Sequence, residues 1–152
     1  MIAAHYNRIM DISIDVGQIW RHLAQLGMAF ALALPIAINR ENSAEGAGLR
    51  TFPLVAIACC AFMLVGMSVF EGSDAEARVM YGIITGMGFI GGGSIIKKDS
   101  GATGTATAAG IWLTGAIGLS VAYHRYEIAI ALSLVGFLIF QFSGFLKRSS
   151  GD

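Results

Sequence analysis

The sequence predicts an all-α, polytopic membrane protein: a bundle of five transmembrane helices, N-terminus outside and C-terminus in the cytoplasm. The 152-residue chain is 55% apolar and only 13% charged, about half the charged fraction of an average soluble domain. Five stretches, residues 23–38, 51–70, 79–96, 104–123 and 128–146, contain no Asp, Glu, Lys or Arg. A helical span needs about 20 such residues, and none of the five carries the polar stripe that a soluble surface helix would show. The intervening loops are short, about 5–12 residues, so consecutive helices should be neighbours and no soluble domain fits between them.

Taken in order, residues 1–18 form a short polar segment of mixed charge, without the apolar run and small-residue cleavage site of a signal peptide. The first span, about 19–38, is long enough if Trp20, Arg21 and His22 sit at an interface, where Arg can snorkel. The second, about 51–70, holds both cysteines, Cys59 and Cys60; they are adjacent and form no C-x-x-C spacing, so they read as packing residues. The third and fourth spans, about 79–96 and 104–123, hold most of the clustered glycines, and the fifth runs from about 127 to 146, ahead of a short tail at 149–152. Lys and Arg counts set the orientation. One side would carry six (Arg40, Arg50, Lys97, Lys98, Lys147, Arg148) and the other four (Arg8, Arg21, Arg78, Arg125), which puts the C-terminus inside. Zero net charge offers no basic footprint for nucleic acid.

Residues 86–93 read GMGFIGGG and contain Gly86-x-Gly88-x-x-Gly91, the spacing of a dinucleotide-binding loop. That loop needs a preceding strand, a following helix and an acidic residue about 20 positions on. Here Asp99 follows Gly91 after eight residues, and the flanks are long enough to be a span. Close helix packing accounts for the glycines better, because small residues let backbones approach in lipid. Gly82 and Gly86, then Gly88 and Gly92, are four apart, with Gly93 continuing the first face; Gly110, Thr114, Gly118 and Ala122 make a second stripe. The expectation is a tight hairpin of the third and fourth helices at the centre of the bundle. Three consecutive glycines, Gly91–Gly93, exceed what one packing face requires, each costing about 1 kcal/mol relative to Ala. Two readings stay open for them: packing alone, or packing plus backbone carbonyls lining a cavity.

Three blocks of the sequence resemble the MgtC/SapB family of membrane proteins. Asn39–Asn42 with Gly46–Thr51 ("NREN", "GAGLRT") resembles the family's stretch after its first helix. Residues 77–96, "ARVMYGIITGMGFIGGGSII", resemble its signature of Arg followed by Gly-x-Gly-Phe-x-Gly-x-Gly, here Arg78, Gly86, Gly88, Phe89, Gly91 and Gly93. Residues 104–123, from Gly104 through Thr107, Gly110 and Trp112 to Tyr123, resemble its small-residue helix. Two positions depart: Asn39 stands for a glutamate, and Asp74 lies one residue before the family's acidic position, which is Ala75. The resemblance implies a bacterial inner-membrane protein consisting of the family's membrane domain alone, without the C-terminal regulatory domain of larger members. It also implies a role in adaptation to low magnesium and in survival inside host cells.

The charged residues allow two levels of reading. Ser73 and Glu76 have the spacing of a capping box, and Asp74 suits the positive end of a helix. Asp74 and Glu76, with Glu71, could alternatively form an outer mouth that attracts a divalent cation. Arg40 and Arg50 suit positive-inside anchoring, with Glu41 an available partner for Arg50, and Arg78 could pair with Asp74 one turn before it. His5, His22 and His124 are scattered, and no nucleophile–base set occurs. The favoured function is therefore non-enzymatic: a membrane protein that regulates or assembles with other membrane proteins, or with a second copy of itself as a dimer, and has no resident cofactor. The alternative is an Mg²⁺ transporter or channel along the third and fourth helices, using Thr85, Ser94, Thr107 and bare carbonyls in place of intramembrane carboxylates.

Overall fold

The computed structural model describes residues 15–41, 48–99 and 101–149. Most of the N-terminal polar segment, residues 42–47 (with Asn42, Gly46 and Ala47 of the first motif block), Ser100 and the last three residues lie outside the described residues. All five expected helices are present: α1 (Val16–Glu41), α2 (Thr51–Val69), α3 (Ser73–Gly93), α4 (Thr105–Ala122) and α5 (Tyr126–Ser149). Four of them, α1, α2, α4 and α5, are long and apolar enough to cross a membrane. α3 has 21 residues, about 32 Å of helix, but Asp74, Glu76 and Arg78 occupy its first turns and glycines dilute its hydropathy. Around the outside, large apolar residues are exposed on every helix, among them Trp20, Phe62, Phe89 and Phe142. Such a surface suits lipid and would be an aggregation hazard in water.

α1 starts one residue after Asp15, whose carboxylate accepts from the Gly17 and Gln18 N–H groups, satisfying donors that a helix start leaves free. Its buried residues, Gln25, Ala29, Ala33, Ile36 and Ala37, recur at helical spacing and form one inward stripe. α2 tolerates Pro53 because the residue lies in the first turn, where its missing N–H has no partner to lose. α4 is the centre of the fold. Ten of its eighteen residues are buried, and it contacts all four other helices, α2 most extensively. Its C-terminus closes in a left-handed turn at His124 (φ 57°). The N–H of Arg125 reaches the Ser120 carbonyl at 2.8 Å, and that of His124 reaches Val121 at 3.0 Å. This is the Schellman arrangement, which satisfies the last carbonyls of a helix. From α1, Gln25 Nε2 donates to the Val121 and Ala122 carbonyls at 3.4 and 3.5 Å, and from α5 the Ser133 hydroxyl donates to Leu32 O at 2.6 Å.

The expected central hairpin of the third and fourth helices is corrected. α3 lies at the edge of the bundle, touching α2 and α4, with only Met87 and Gly91 buried. The small-residue stripe of α4 packs on α2 instead: a Cβ on Gly110 would lie 2.6 Å from the Phe52 ring, and one on Gly118 would collide with the Ala56 carbonyl. The physical reason lies in what the small residues meet: Gly110 and Gly118 of α4 sit against the Phe52 ring and the Ala56 backbone of α2, whereas Gly82, Gly86 and Gly92 of α3 have no neighbouring helix within reach.

α3 also ends earlier than the span 79–96 suggested. Its last residue is Gly93, and the Ser94 and Ile95 N–H groups turn back to the Gly91 and Gly92 carbonyls at 3.1 Å each. The chain then forms a small antiparallel ribbon, β1 (Ile96–Lys98) and β2 (Gly101–Thr103), paired Ile96 with Thr103 and Lys98 with Gly101. Gly101 (φ 130°) and Gly104 (φ 86°) adopt backbone conformations that side chains resist.

Candidate functional site

The end of the bundle nearest this ribbon gathers the polar chemistry. Arg40, in the last turn of α1, donates from Nη2 to Thr107 Oγ1 at 3.3 Å. Its guanidinium lies 5.4 Å from the centroid of the Phe140 ring, within cation–π range. Among the described residues, Arg40 Nε is a buried nitrogen without a hydrogen-bond partner. Asn39 donates to Gln141 Oε1 at 2.7 Å, tying α1 to α5. Glu41 does not reserve its carboxylate for Arg50. It accepts from the Leu49 backbone N–H at 2.9 Å, so it braces the loop before α2. Arg50 itself occupies the N-cap position of α2 without a side-chain capping bond.

Beside Thr107 opens a cavity of about 510 Å³, walled by the start of α2 (Thr51), the end of α3 (Ile90, Gly93, Ser94), the ribbon (Ile96, Lys98, Thr103) and the start of α4 (Gly104, Thr107, Ile111). Ile90 also lines a second, apolar groove of about 450 Å³ between α2 and α3, which Val55, Phe62, Gly82, Gly86 and Met87 help to form. The three consecutive glycines divide between environments. Gly91 packs against α4, where a Cβ would meet the Ala108 carbonyl and Trp112 at 3.5 Å; Gly93 lines the cavity; Gly92 faces open space. Gly88 is 3.8 Å from Trp112 by the same measure, while Gly82 and Gly86 meet nothing within 4 Å. Phe89 is 86% exposed, so this signature aromatic points out of the bundle. Of the three hydroxyls offered for an ion route, Ser94 and Thr107 line the cavity; Thr85 lies on exposed α3 surface and bonds to Tyr81 O at 2.8 Å.

At the opposite end, the capping box does not form. The N-cap of α3 is Gly72 at φ 95°, and Ser73 is already helical. Glu76 instead accepts from the Tyr123 hydroxyl at 3.1 Å, joining the start of α3 to the end of α4. Asp74 and Arg78 are exposed. Among the described residues, no three His, Cys, Asp or Glu side chains gather into a set that could hold a metal ion. Sequence reasoning missed Lys98, Thr51 and Thr103 as neighbours of Thr107. The available signal was the density of Lys, Gly and hydroxyl residues in KKDSGATGT, which a turn explains equally well.

Comparison with known proteins adds the following. The family described as the MgtC family matches residues 26–149. The YhiD protein of Escherichia coli K12, provisionally labelled a magnesium transporter in its name, is 34% identical over 114 residues, covering 70% of this chain and 53% of YhiD. SrpB of Synechococcus elongatus is 33% identical over 149 residues and 82% of both chains. The MgtC protein of Brucella abortus is 35% identical over 105 residues, covering 66% of this chain and 44% of that protein. The chain thus spans about half the length of YhiD and MgtC. No solved structure matches it significantly.

Proposed function

The chain belongs to the MgtC family, and from that premise we propose that it is a non-enzymatic protein that regulates, and assembles with, other membrane proteins. It is a multi-pass protein of the bacterial inner membrane. The carrying observation is the outward face of α3. Gly82, Gly86 and Gly92 sit where an added Cβ would meet nothing within 4 Å, the first two along the open groove beside α2. Their missing side chains therefore do not serve packing within the chain, although each costs helix stability. In lipid, bare backbone of this kind favours a second helix packing closely against it. Tyr81 and Phe89, both strongly exposed, flank the strip and supply contact area for such a partner. A protein of this kind would act in the adaptation to low magnesium that the family resemblance implies.

Magnesium transport is the second reading, favoured by the label YhiD carries. The polar cavity argues against it on electrostatic grounds. Lys98 lines it and Arg40 stands behind Thr107, whereas a hard dication seeks carboxylate and carbonyl oxygens. The test places a photo-crosslinking residue at Tyr81 in native membranes. The expected result is one discrete crosslinked species, heterologous or a second copy of the chain, that disappears in Gly86→Leu together with the low-magnesium phenotype. No adduct under conditions where the protein is required, or Mg²⁺ flux through purified chain in liposomes, would overturn the proposal.

A further inference from the structure

We propose that the cavity between α2, α3, the ribbon and α4 is a binding site for a phosphate ester. The argument starts from the sign of its walls. Lys98 is the charged side chain among the described residues that line it, and none of them is a carboxylate. Each hydroxyl then has a definite role. Ser94 Oγ donates to Gly91 O at 2.6 Å and Thr103 Oγ1 to Ile96 O at 3.4 Å, so their hydrogens are engaged. Thr107 Oγ1 accepts from the Arg40 guanidinium, which leaves its own hydrogen free to donate. Thr51 adds a second hydroxyl. Lys98 and Thr107 thus present a charge-assisted and a cation-polarised donor to the same space, an arrangement that favours a phosphate oxygen.

Size and shape narrow the class. A volume of about 510 Å³ lies within the roughly 300–1,000 Å³ of clefts that hold organic ligands, more than a bare anion needs. Ile90, Ile96 and Ile111 give the remaining wall an apolar character suited to the ester's carbon part. The shared chemistry is a glycerol phosphate group, which either an anionic phospholipid headgroup or a soluble phosphate ester could bring. This site is distinct from the outward strip of α3, so the proposal does not depend on the function argued above.

The experiment uses the full chain in nanodiscs of phosphatidylcholine, titrated in one arm with phosphatidylglycerol and in the other with soluble glycerol 3-phosphate, following thermal unfolding. Stabilisation by phosphatidylglycerol alone identifies the lipid as the source; stabilisation by glycerol 3-phosphate in pure phosphatidylcholine identifies the soluble ester. In either case Lys98→Gln should raise the half-saturating concentration about tenfold, with Lys98→Arg restoring most of it. Lys97→Gln, whose residue does not line the cavity, should change it less than about twofold, which separates a built site from surface attraction. Thr107→Ser should retain binding and Thr107→Val should weaken it. No stabilisation in either arm, or equal weakening by Lys97→Gln and Lys98→Gln, overturns the proposal.

Discussion

Gly86 and Gly118 both belong to stripes of small residues spaced four apart on their helices, yet their surroundings are opposite. A methyl group on Gly118 would strike the Ala56 carbonyl and crowd the Cys60 nitrogen at 3.1 Å, both rigid backbone atoms of α2; a methyl group on Gly86 would enter open space. Gly118→Ala should therefore destabilise the fold by about 1–3 kcal/mol through overpacking. Gly86→Ala should leave it unchanged or stabilise it by up to about 1 kcal/mol through helix propensity. Thermal unfolding of the two variants in detergent, followed by circular dichroism, checks the contrast; equal losses would mean that α3 packs inward after all. The comparison also marks what residue patterns could reveal. Spacing identifies which glycines share a helical face, but it does not say whether that face meets another helix, a cavity or the outside. Arg40 illustrates the same limit: its position at a helix end was evident, its bond to Thr107, 67 positions away, was not.

At the level of elements, the helices were legible because uncharged length is a direct requirement of a lipid crossing, and four of the five satisfy it independently. The ribbon was not, because strands of three residues are too short to display a period of two. It matters nonetheless, since it carries Lys98 and Thr103 to the cavity and delivers the chain to α4 through Gly104. At φ 86°, Gly104 holds a conformation that an L side chain resists, and a Cβ there would collide with the Ser94 carbonyl. Gly104→Ala should cost more than about 1 kcal/mol, and the damage should concentrate at the end of α3 and the start of α4. Hydrogen exchange would report this as faster exchange of the ribbon and the first turn of α4, with α1 and α5 protected as before. Uniform protection throughout would show that the left-handed turn is not required.

For the molecule as a whole, the contacts sort the chain termini of the helices into two ends, and this gives the orientation argument a structural footing. Arg40 meets Thr107 and Phe140, Asn39 meets Gln141, and Glu41 meets Leu49, so the C-terminal ends of α1 and α5 share an end with the N-terminal ends of α2 and α4. Glu76 meets Tyr123 at the other end. The first end bears Arg40, Arg50, Lys97 and Lys98, and the second Arg21, Arg78 and Arg125; the excess assigns the first to the cytoplasm, as a proposal from the bias of Lys and Arg toward that side. Cys59 and Cys60 are buried, so a single cysteine introduced at Asp99 or at Glu71 can be read against a low background. A membrane-impermeant maleimide should label the Asp99→Cys variant in inverted vesicles only and the Glu71→Cys variant in intact spheroplasts only. The reverse pattern would invert the molecule. Topology also bears on the phosphate cavity: with the ribbon inside, the cavity opens toward the cytoplasmic leaflet and the cytosol, and any phospholipid or soluble ester that fills it must come from that side.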